Sequence, residues 1–450
     1  MQLMKKGFIL TALILISIGI KSQPSRQWTL NECIQYALEN NITLKKSKLA
    51  KQSATEGLKQ AKADLLPNIS LSTNQSVGYR PWTDMGISTV TNGTVATSVK
   101  KTYYNGSYGL NLNWTVWNGN RNINNIKLNR ITEEQAELDT ETNSNIIQEE
   151  IAKLYIQILY MKEAITVANQ SYAVSVKNEE RGRELVEVGK MSKADLAQLT
   201  AQRASDKYTL VNAESNLANY KLQLKQLLEL TGNDDFDIHT PEISDEDALT
   251  DIPQLQSIYE SALVLRPEIR KSILSIEAGN TNLSIAKAGY MPTISITGGG
   301  GTSSTSMTSK NWGTQLKTNF DASVGATISI PISDNRKTKT AISKAKIEQA
   351  ESMLDLEDKK KQIYYTIDSY WLDATTNQQK FIAAIDDVRS EEASYELLSE
   401  QFELGMKNII ELMSGKTNLI NARYNKLQSK YMAILNIQLL NFYKGDKIDI

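Results

Sequence analysis

The chain has 450 residues, with 50 Lys+Arg against 51 Asp+Glu, one histidine and one cysteine. A net charge of −1 offers no basic field for nucleic acid, and a single histidine supports neither a histidine-based metal cluster nor a Ser-His-Asp arrangement. The length allows two or three ordinary domains, so the organisation has to be read from the pattern along the chain.

The chain opens with Lys5 and Lys6, an apolar run from Phe8 to Ile20, and small or polar residues from Ser22 to Pro24. That layout predicts a secretory signal peptide over 1–22, its apolar part too short to span a membrane. Without Lys5, Lys6 and Lys21, 47 basic residues face 51 acidic ones, a net charge of −4. Cys33 lies well beyond the apolar run, where no lipoprotein signal would put it, and reads as a small buried apolar residue. No later run reaches membrane-helix length, so entry into a bilayer would have to be by strands.

From residue 23 to 240 the order is a short helix, a medium helix, two strands near 68–80 and 103–117 joined by a polar loop (81–102), then a long helical hairpin over 121–231. In the second strand Tyr104, Gly106, Tyr108, Leu110, Leu112, Trp114 and Val116 alternate with Asn105, Ser107, Asn111, Asn113 and Thr115, the signature of one wet face. At Asn118-Gly119 the two-residue period stops, and no proline follows until Pro241. Ile147, Ile151, Leu154, Ile158, Met161, Ile165, Ala168 and Tyr172 are spaced 4, 3, 4, 3, 4, 3, 4, a heptad seam. A tight turn at "VGKMSKADL" leads to the return helix, with Leu210, Ala213, Leu217, Tyr220, Leu224 and Leu227 inward. The acidic linker "NDDFDIHTPEISDEDAL" follows, and His239 in it reads as solvated.

Residues 241–450 repeat this plan, with strands near 293–303 and 319–332, a polar loop (304–318) and a helical hairpin over 335–445. Ala37-Leu38 recurs as Ala262-Leu263 and "LLPNISLS" as "YMPTISIT", both at a spacing of 225; "LNLNWTVWNGNR" matches "GATISIPISDNR" at 215, and "VGKMSKADL" matches "LGMKNIIEL" at 216. Four collinear matches identify an internally duplicated chain. In the last strand Phe320, Ala322, Val324, Ala326, Ile328, Ile330 and Ile332 share a face. The second return helix is expected to bury Ile410, Met413, Ile420, Tyr424, Leu427, Tyr431 and Ile434.

A strand of this length with one apolar and one polar face suits a tilted membrane strand between lipid and water. Tyr79, Tyr103 and Tyr104 at the loop end and Trp114 and Trp117 at the helix end are placed as two aromatic girdles. About four strands cannot close a barrel, and an open edge in hydrocarbon would strand unpaired amides. Three copies would supply twelve strands, with the helices, roughly 100 Å long, continuing away from the membrane. Asn118, Gly119 and Pro331 would then mark the junction between strand barrel and helical tunnel. The fold class is thus an α+β membrane protein: a trimeric 12-stranded β-barrel continued by an α-helical coiled-coil barrel. "GGGG" at 298–301 lacks the Lys-Ser/Thr of a phosphate loop and reads as close packing. A periplasmic coiled-coil adaptor or structural protein would share the heptads but would not account for two amphipathic strand pairs.

In this order, "WTLNECIQYALENN", "LLPNISLS" with "YMPTISIT", "VWNGNR" with "PISDNR", "RPEIR" at 266–270 and the paired hairpin tips resemble the TolC-type outer-membrane efflux protein family, over about residues 27–445. The resemblance implies a passive homotrimeric duct of a tripartite efflux or type I secretion system, set in outer-membrane lipid and crossing the periplasm. It implies no enzyme, cofactor or metal, and as partners a periplasmic adaptor and an inner-membrane transporter. By the same resemblance Gly189, Lys190, Met191, Gly405, Met406 and Lys407 would meet the adaptor, and Asp195 and Glu411 would form the periplasmic gate. Ser414 stands where the family's pattern has a further acidic residue three positions beyond Glu411, a departure from the double acidic ring that the pattern implies. Asp195 and Glu411 also fall in first helical turns, where the helix dipole favours carboxylates in any case.

Overall fold

The structure, a computed structural model, describes residues 27–449 apart from 83–84, 91–92, 99 and 232–235. The leader expected over 1–22 lies outside the described residues.

In chain order the first repeat runs β1 (Gln27–Trp28), α1 (Leu30–Asn40), α2 (Ile42–Ala63), β2 (Asn68–Tyr79), β3 (Met85–Val90), β4 (Gly93–Ser98), β5 (Thr102–Trp117), α3 (Arg121–Glu187) and α4 (Lys193–Leu227). A short strand, β6 (Asp237–Ile238), opens the linker. The second repeat is α5 (Leu255–Leu265), α6 (Pro267–Lys287), β7 (Thr293–Thr305), α7 (Trp312–Thr318), β8 (Asp321–Ser329), α8 (Lys337–Glu403) and α9 (Ile409–Lys444). The long helices α3 and α8 have 67 residues each, and the return helices 35 and 36. At about 1.5 Å per residue, 67 residues make a rod of roughly 100 Å.

Local chemistry explains the corners. Thr29 and Glu32 form a capping box that starts α1, the Thr29 hydroxyl accepting from the Glu32 amide and the Glu32 carboxylate from the Thr29 amide. Asn41 ends α1 and starts α2, its carbonyl accepting from the amides of Thr43 and Leu44 while its amide group donates 3.0 Å to Leu227 O at the end of α4. Its counterpart 225 residues on is Arg266, where Pro267 takes the first position of α6. Asn41 and Arg266 are both buried, and each reaches across to a return helix: the Arg266 guanidinium lies 4.3 Å from the Tyr443 ring of α9 and 2.9 Å from Glu268.

Strand becomes helix through two successive left-handed residues in each repeat, Gly119-Asn120 (φ 69° and 66°) and Asn335-Arg336 (φ 53° and 68°). Asn118 and Asp334 supply the cap from outside the turn, accepting at 3.2 Å from the Asn122 amide and at 2.7 Å from the Thr338 amide. These pairs are 216 apart, as are the facing strand residues Leu112 and Ile328, which pair with Ile69 and Ile294. The strand match at 215 is therefore corrected by one residue; a shift of one would exchange the two faces of the strand. Pro331 lies between β8 and the turn, outside the left-handed pair, so the junction residue equivalent to Gly119 is Asn335.

The main core lies midway along the helical part. Ile147, Ile151, Tyr155, Ile158 and Leu159 of α3, Cys33 and Ala37 of α1, Leu224 of α4 and Tyr431 and Leu435 of α9 pack together. Burial pushes the Cys33 thiol up to about 12, with Glu32 adding to the rise, so it stays a neutral packing group. A second cluster joins Ile258 and Ala262 of α5, Ile363 and Ile367 of α8, and Ile437 and Leu440 of α9. The end of α9 is thus covered on several sides, which its nearly continuous apolar sequence requires. Nearer its start, α9 buries Ile409, Leu412, Leu419 and Ala422, whereas Ile410 is exposed. The expected seam is displaced there because α9 packs against α3 and α4 as well as α8.

Both polar loops contain structure where solvent loops were expected. β3 and β4 form an antiparallel hairpin within 81–102, and α7 occupies the second loop.

Candidate functional site

Two regions hold the residues that pattern and resemblance single out, a sheet and a pair of helix tips, and a buried polar cluster lies beside the tips.

The sheet has the order β2-β5-β7-β8, antiparallel throughout, and among the described residues β2 and β8 are its unpaired edges. Register defines its faces. Ile69, Leu71 and Val77 of β2 stand opposite Leu112, Leu110 and Tyr104 of β5, and Ile294 and Gly298 of β7 stand opposite Ile328 and Val324 of β8. Among the described residues nothing covers most of this apolar face: Leu71 is 82% and Val324 84% exposed. The other face carries Ser70, Ser72, Asn111, Asn113 and Ser323, and Asp321 is the one charged residue in the four strands.

Of the five aromatic residues expected at the two girdles, Tyr79, Tyr104 and Trp114 lie on the apolar face. Trp117 joins them because a bulge between Thr115 and Trp117 pairs it with Ile294. Tyr103 does not. It faces Gly78 on the polar side, where a Cβ on Gly78 would stand 2.3 Å from the Tyr103 ring, and the Arg80 guanidinium stacks on it at 4.6 Å. Adjacent strand residues point to opposite faces, so Tyr103 and Tyr104 cannot share one girdle.

At the helix tips, Gly189 and Gly405 adopt φ of 71° and 74°, and nothing lies within 4 Å of a Cβ added to either. Those turns need glycine for its left-handed backbone rather than for space. Ser192 caps α4, accepting from the Asp195 amide at 3.1 Å and donating its hydroxyl to the Asp195 carboxylate at 2.8 Å. Asn408 and Glu411 form a reciprocal capping box on α9, and Lys407 adds an ion pair to Glu411 at 2.6 Å. Lys407 and the Asn408 amide hold the Glu411 carboxyl below the usual glutamate range. Both carboxylates therefore carry helix-capping duties within the single chain.

The two tips sit side by side. Leu199 packs with Ile409 and Leu412, flanked by Met191, Tyr395, Phe402 and Met413, and Arg181 of α3 pairs with Glu403 of α8. Val188, Lys190, Leu404, Met406 and Ile410 are exposed around this cluster, whereas Met191 turns partly into it. Ser414 is exposed one turn beyond Glu411.

Above the tips lies a cluster that sequence pattern missed. Lys416 of α9 is buried and donates to Ser171 O and the Ser175 hydroxyl of α3 and to the Asp206 carboxylate of α4. Burial lowers its pKa from the ordinary lysine value, while the Asp206 contact opposes that shift. A cavity of about 270 Å³, lined in part by Gln202, Thr209, Asn421 and Tyr424, opens beside it. One turn nearer the tip, the buried Glu179 pairs with Arg203 and accepts from the Thr200 hydroxyl. Ser171, Ser175, Glu179 and Gly182 continue the seam from Ala168 at spacings of 3 or 4; the spacing is legible in sequence, but polar residue types conceal it. No group of three or more His, Cys, Asp or Glu side chains suited to a metal occurs among the described residues.

The comparisons with known proteins accord with this architecture. The pattern that defines the family described as outer membrane efflux protein matches residues 33–229 and 258–441, one block in each repeat. The outer membrane efflux protein BepC of Brucella suis biovar 1 (strain 1330) is 20% identical over 440 residues, covering 97% of this chain and 90% of that protein. The outer membrane protein TolC of Escherichia coli (strain K12) is 22% identical over 448 residues, covering 96% and 85%. Among solved structures, CusC superposes with a TM-score of 0.77 at 18% identity, covering 92% of each chain. The Campylobacter jejuni CmeC outer membrane channel superposes with 0.76 at 19%, covering 94% of this chain and 87% of that one. The family is one of outer-membrane transport proteins, not enzymes. With both repeats matched and the helical fold shared along almost its whole length, this chain belongs to the outer membrane efflux protein family.

Proposed function

We propose that the chain is one third of a passive exit duct serving a tripartite efflux or type I secretion system. Three copies close a twelve-stranded barrel in the outer membrane, each β2 edge pairing with the β8 edge of the next copy, and the long hairpins continue it as a tunnel through the periplasm. The observation that carries this reading is the four-stranded sheet with two open edges and an exposed apolar face, joined directly to 67-residue helices. In hydrocarbon every edge amide needs a partner, and only closure provides one.

Tyr79, Tyr104, Trp114 and Trp117 serve as the girdles, and the two left-handed turns as the junction. At the far end the tips, the exposed Gly189, Lys190, Gly405 and Met406 with the partly covered Met191 and Lys407, meet a periplasmic adaptor, itself joined to an inner-membrane transporter. Around the trimer axis Asp195 and Glu411 form the gate, where converging carboxylates in a low-dielectric wall concentrate their field and favour cations.

The test is extraction and conductance. The protein should resist salt washing, require detergent, run as a trimer in detergent, and form conducting channels in a planar bilayer. A soluble protomer that stays monomeric without detergent would overturn the reading.

A further inference from the structure

The loop between β7 and β8 folds back over the sheet, and the face it chooses is informative. The Trp312 ring of α7 meets the Tyr108 ring edge-on, with centroids 6.3 Å apart. The Thr302 hydroxyl donates to Leu316 O at 2.6 Å, the buried Gln315 side chain accepts from the Thr305 amide at 2.7 Å, and Asn319 donates to Ser303 O at 2.8 Å. Tyr108 and Thr302 face each other across β5 and β7 on the side that carries Leu110, Leu112 and Trp114. Hence α7 stands on the apolar face, at its loop-end border.

Charge on the sheet is sorted by face. The four strands hold one charge, Asp321, at a position on the polar face. Residues 304–320 contain Lys310 and Lys317 and no acidic residue. Both lysines are exposed, and neither pairs with a carboxylate among the described residues. Trp312 and Phe320 flank them, 55% and 64% exposed. Lys100, also exposed and without a carboxylate partner among the described residues, lies at the same end of the sheet.

Long cationic side chains beside half-exposed aromatic rings, at the edge of an apolar band, fit the boundary between acyl chains and anionic headgroups. The lysine stems can lie along apolar surface while their ammonium groups meet phosphate. Solvent alone gives no reason to pin a seven-residue helix to the lipid-facing side through Gln315, Thr302 and Asn319.

We propose that α7, with Lys310 and Lys317, is a docking surface on the outside of the barrel for a phosphate-bearing lipid headgroup of the outer leaflet. This rests on the reading of the sheet as a lipid-facing barrel wall.

The experiment uses the full chain assembled in non-ionic detergent. Its melting midpoint is followed with added phosphatidylglycerol, with phosphatidylcholine at the same mole fraction, and with inorganic phosphate at the same concentration. Phosphatidylglycerol should raise the midpoint above either alternative, and the excess should shrink with added salt and vanish in Lys310→Gln plus Lys317→Gln. Where the double variant fails to assemble, each single variant should lose part of the excess. Equal shifts from the two lipids, an undiminished excess in the variants, or an equal shift from inorganic phosphate would overturn the proposal, the last by identifying a mobile anion. Planar-bilayer conductance keeps the two readings apart. A conducting protein indifferent to phosphatidylglycerol overturns only the lipid surface, whereas a protein that neither conducts nor needs detergent overturns the duct.

Discussion

A Cβ built on Gly182 of α3 would stand 2.5 Å from Cδ1 of Leu199 in α4, and one on Gly415 of α9 would stand 2.6 Å from Cδ1 of Leu398 in α8. Displacement by 216 residues carries Gly182 onto Leu398 and Leu199 onto Gly415, so both hairpins make one small-against-large contact with the partners exchanged. A glycine facing a leucine lets the two helices of each hairpin approach closely, because the side chains at a contact set the distance between helices.

The contact can be transplanted. Leu199→Gly alone should cost roughly 3–5 kcal/mol, from the cavity and from glycine within a helix. Gly182→Leu alone should cost about 1–3 kcal/mol through overpacking. Together they rebuild in the first hairpin the arrangement of the second, and most of the loss should return. Melting midpoints of the two single variants and the double variant measure the coupling; a double variant no more stable than the worse single one would contradict the exchange.

Lys416 closes a buried network across three helices, so removing it strands the Asp206 carboxylate. Lys416→Met should destabilise by about 3–5 kcal/mol, the usual effect of breaking a buried pair from one side. Lys416→Met with Asp206→Leu should recover much of that, because no uncompensated charge remains. Thermal unfolding in detergent compares the three proteins, and equal midpoints for the single variant and wild type would refute the assignment.

Two aspartates hold the linker between repeats. Asp237 meets Lys162 at 2.9 Å and Lys221 at 3.1 Å; Asp245 meets Lys426 at 2.9 Å and Lys430 at 3.0 Å. Partial burial works to raise both carboxyls, but hydrogen bonds from the paired lysines outweigh it, and both sit below the usual aspartate value. A carboxyl depressed in the folded chain stabilises fully above its unfolded pKa, about 3.9, and that contribution is lost as pH falls through the lower folded value. Amide protection factors in residues 237–249, exchange rates referred to those of an unfolded chain at the same pH, should therefore fall on acidification below about pH 4, earlier than in the core of α3. Asp237→Asn plus Asp245→Asn should show fast exchange already at neutral pH; unchanged protection would remove the lysine clamps from the explanation.

Gate and cap can be separated at Glu411. Glutamine keeps the capping-box hydrogen bond but not the charge, whereas alanine removes both. With Asp195 kept, Glu411→Gln should change ion selectivity and cation block in bilayer recordings while leaving the melting midpoint near wild type. Glu411→Ala should change both, lowering the melting midpoint as well as altering selectivity and block. If Asp195→Ala plus Glu411→Ala conducts with unaltered selectivity and block, the two carboxylates are caps only.

Much of this was readable from residue order. Strand alternation, the heptad seam of α3 and the repeated turn motifs are consequences of local period, and β2, β5, β7, β8 and the long helices stand within a few residues of the expected segments. The helix in the second loop was not readable, because α7 is one short turn-rich segment whose stability comes from Gln315, Thr302 and Trp312 against the sheet. The Lys416 cluster was hidden for a related reason: serine, aspartate and lysine at core spacing look solvated until another helix is set against them.

By itself, then, the sequence determined that the chain is duplicated, that two wet-faced strand pairs run into two long hairpins, and that glycine turns the tips, because periodicity and left-handed backbone needs are local properties. Only the tertiary structure decided which face each aromatic residue takes, through the register of β2 on β5 and the bulge before Trp117, and which polar side chains the helices enclose. Register and burial are set by the partner element, and no stretch of chain carries its partner's surface within it.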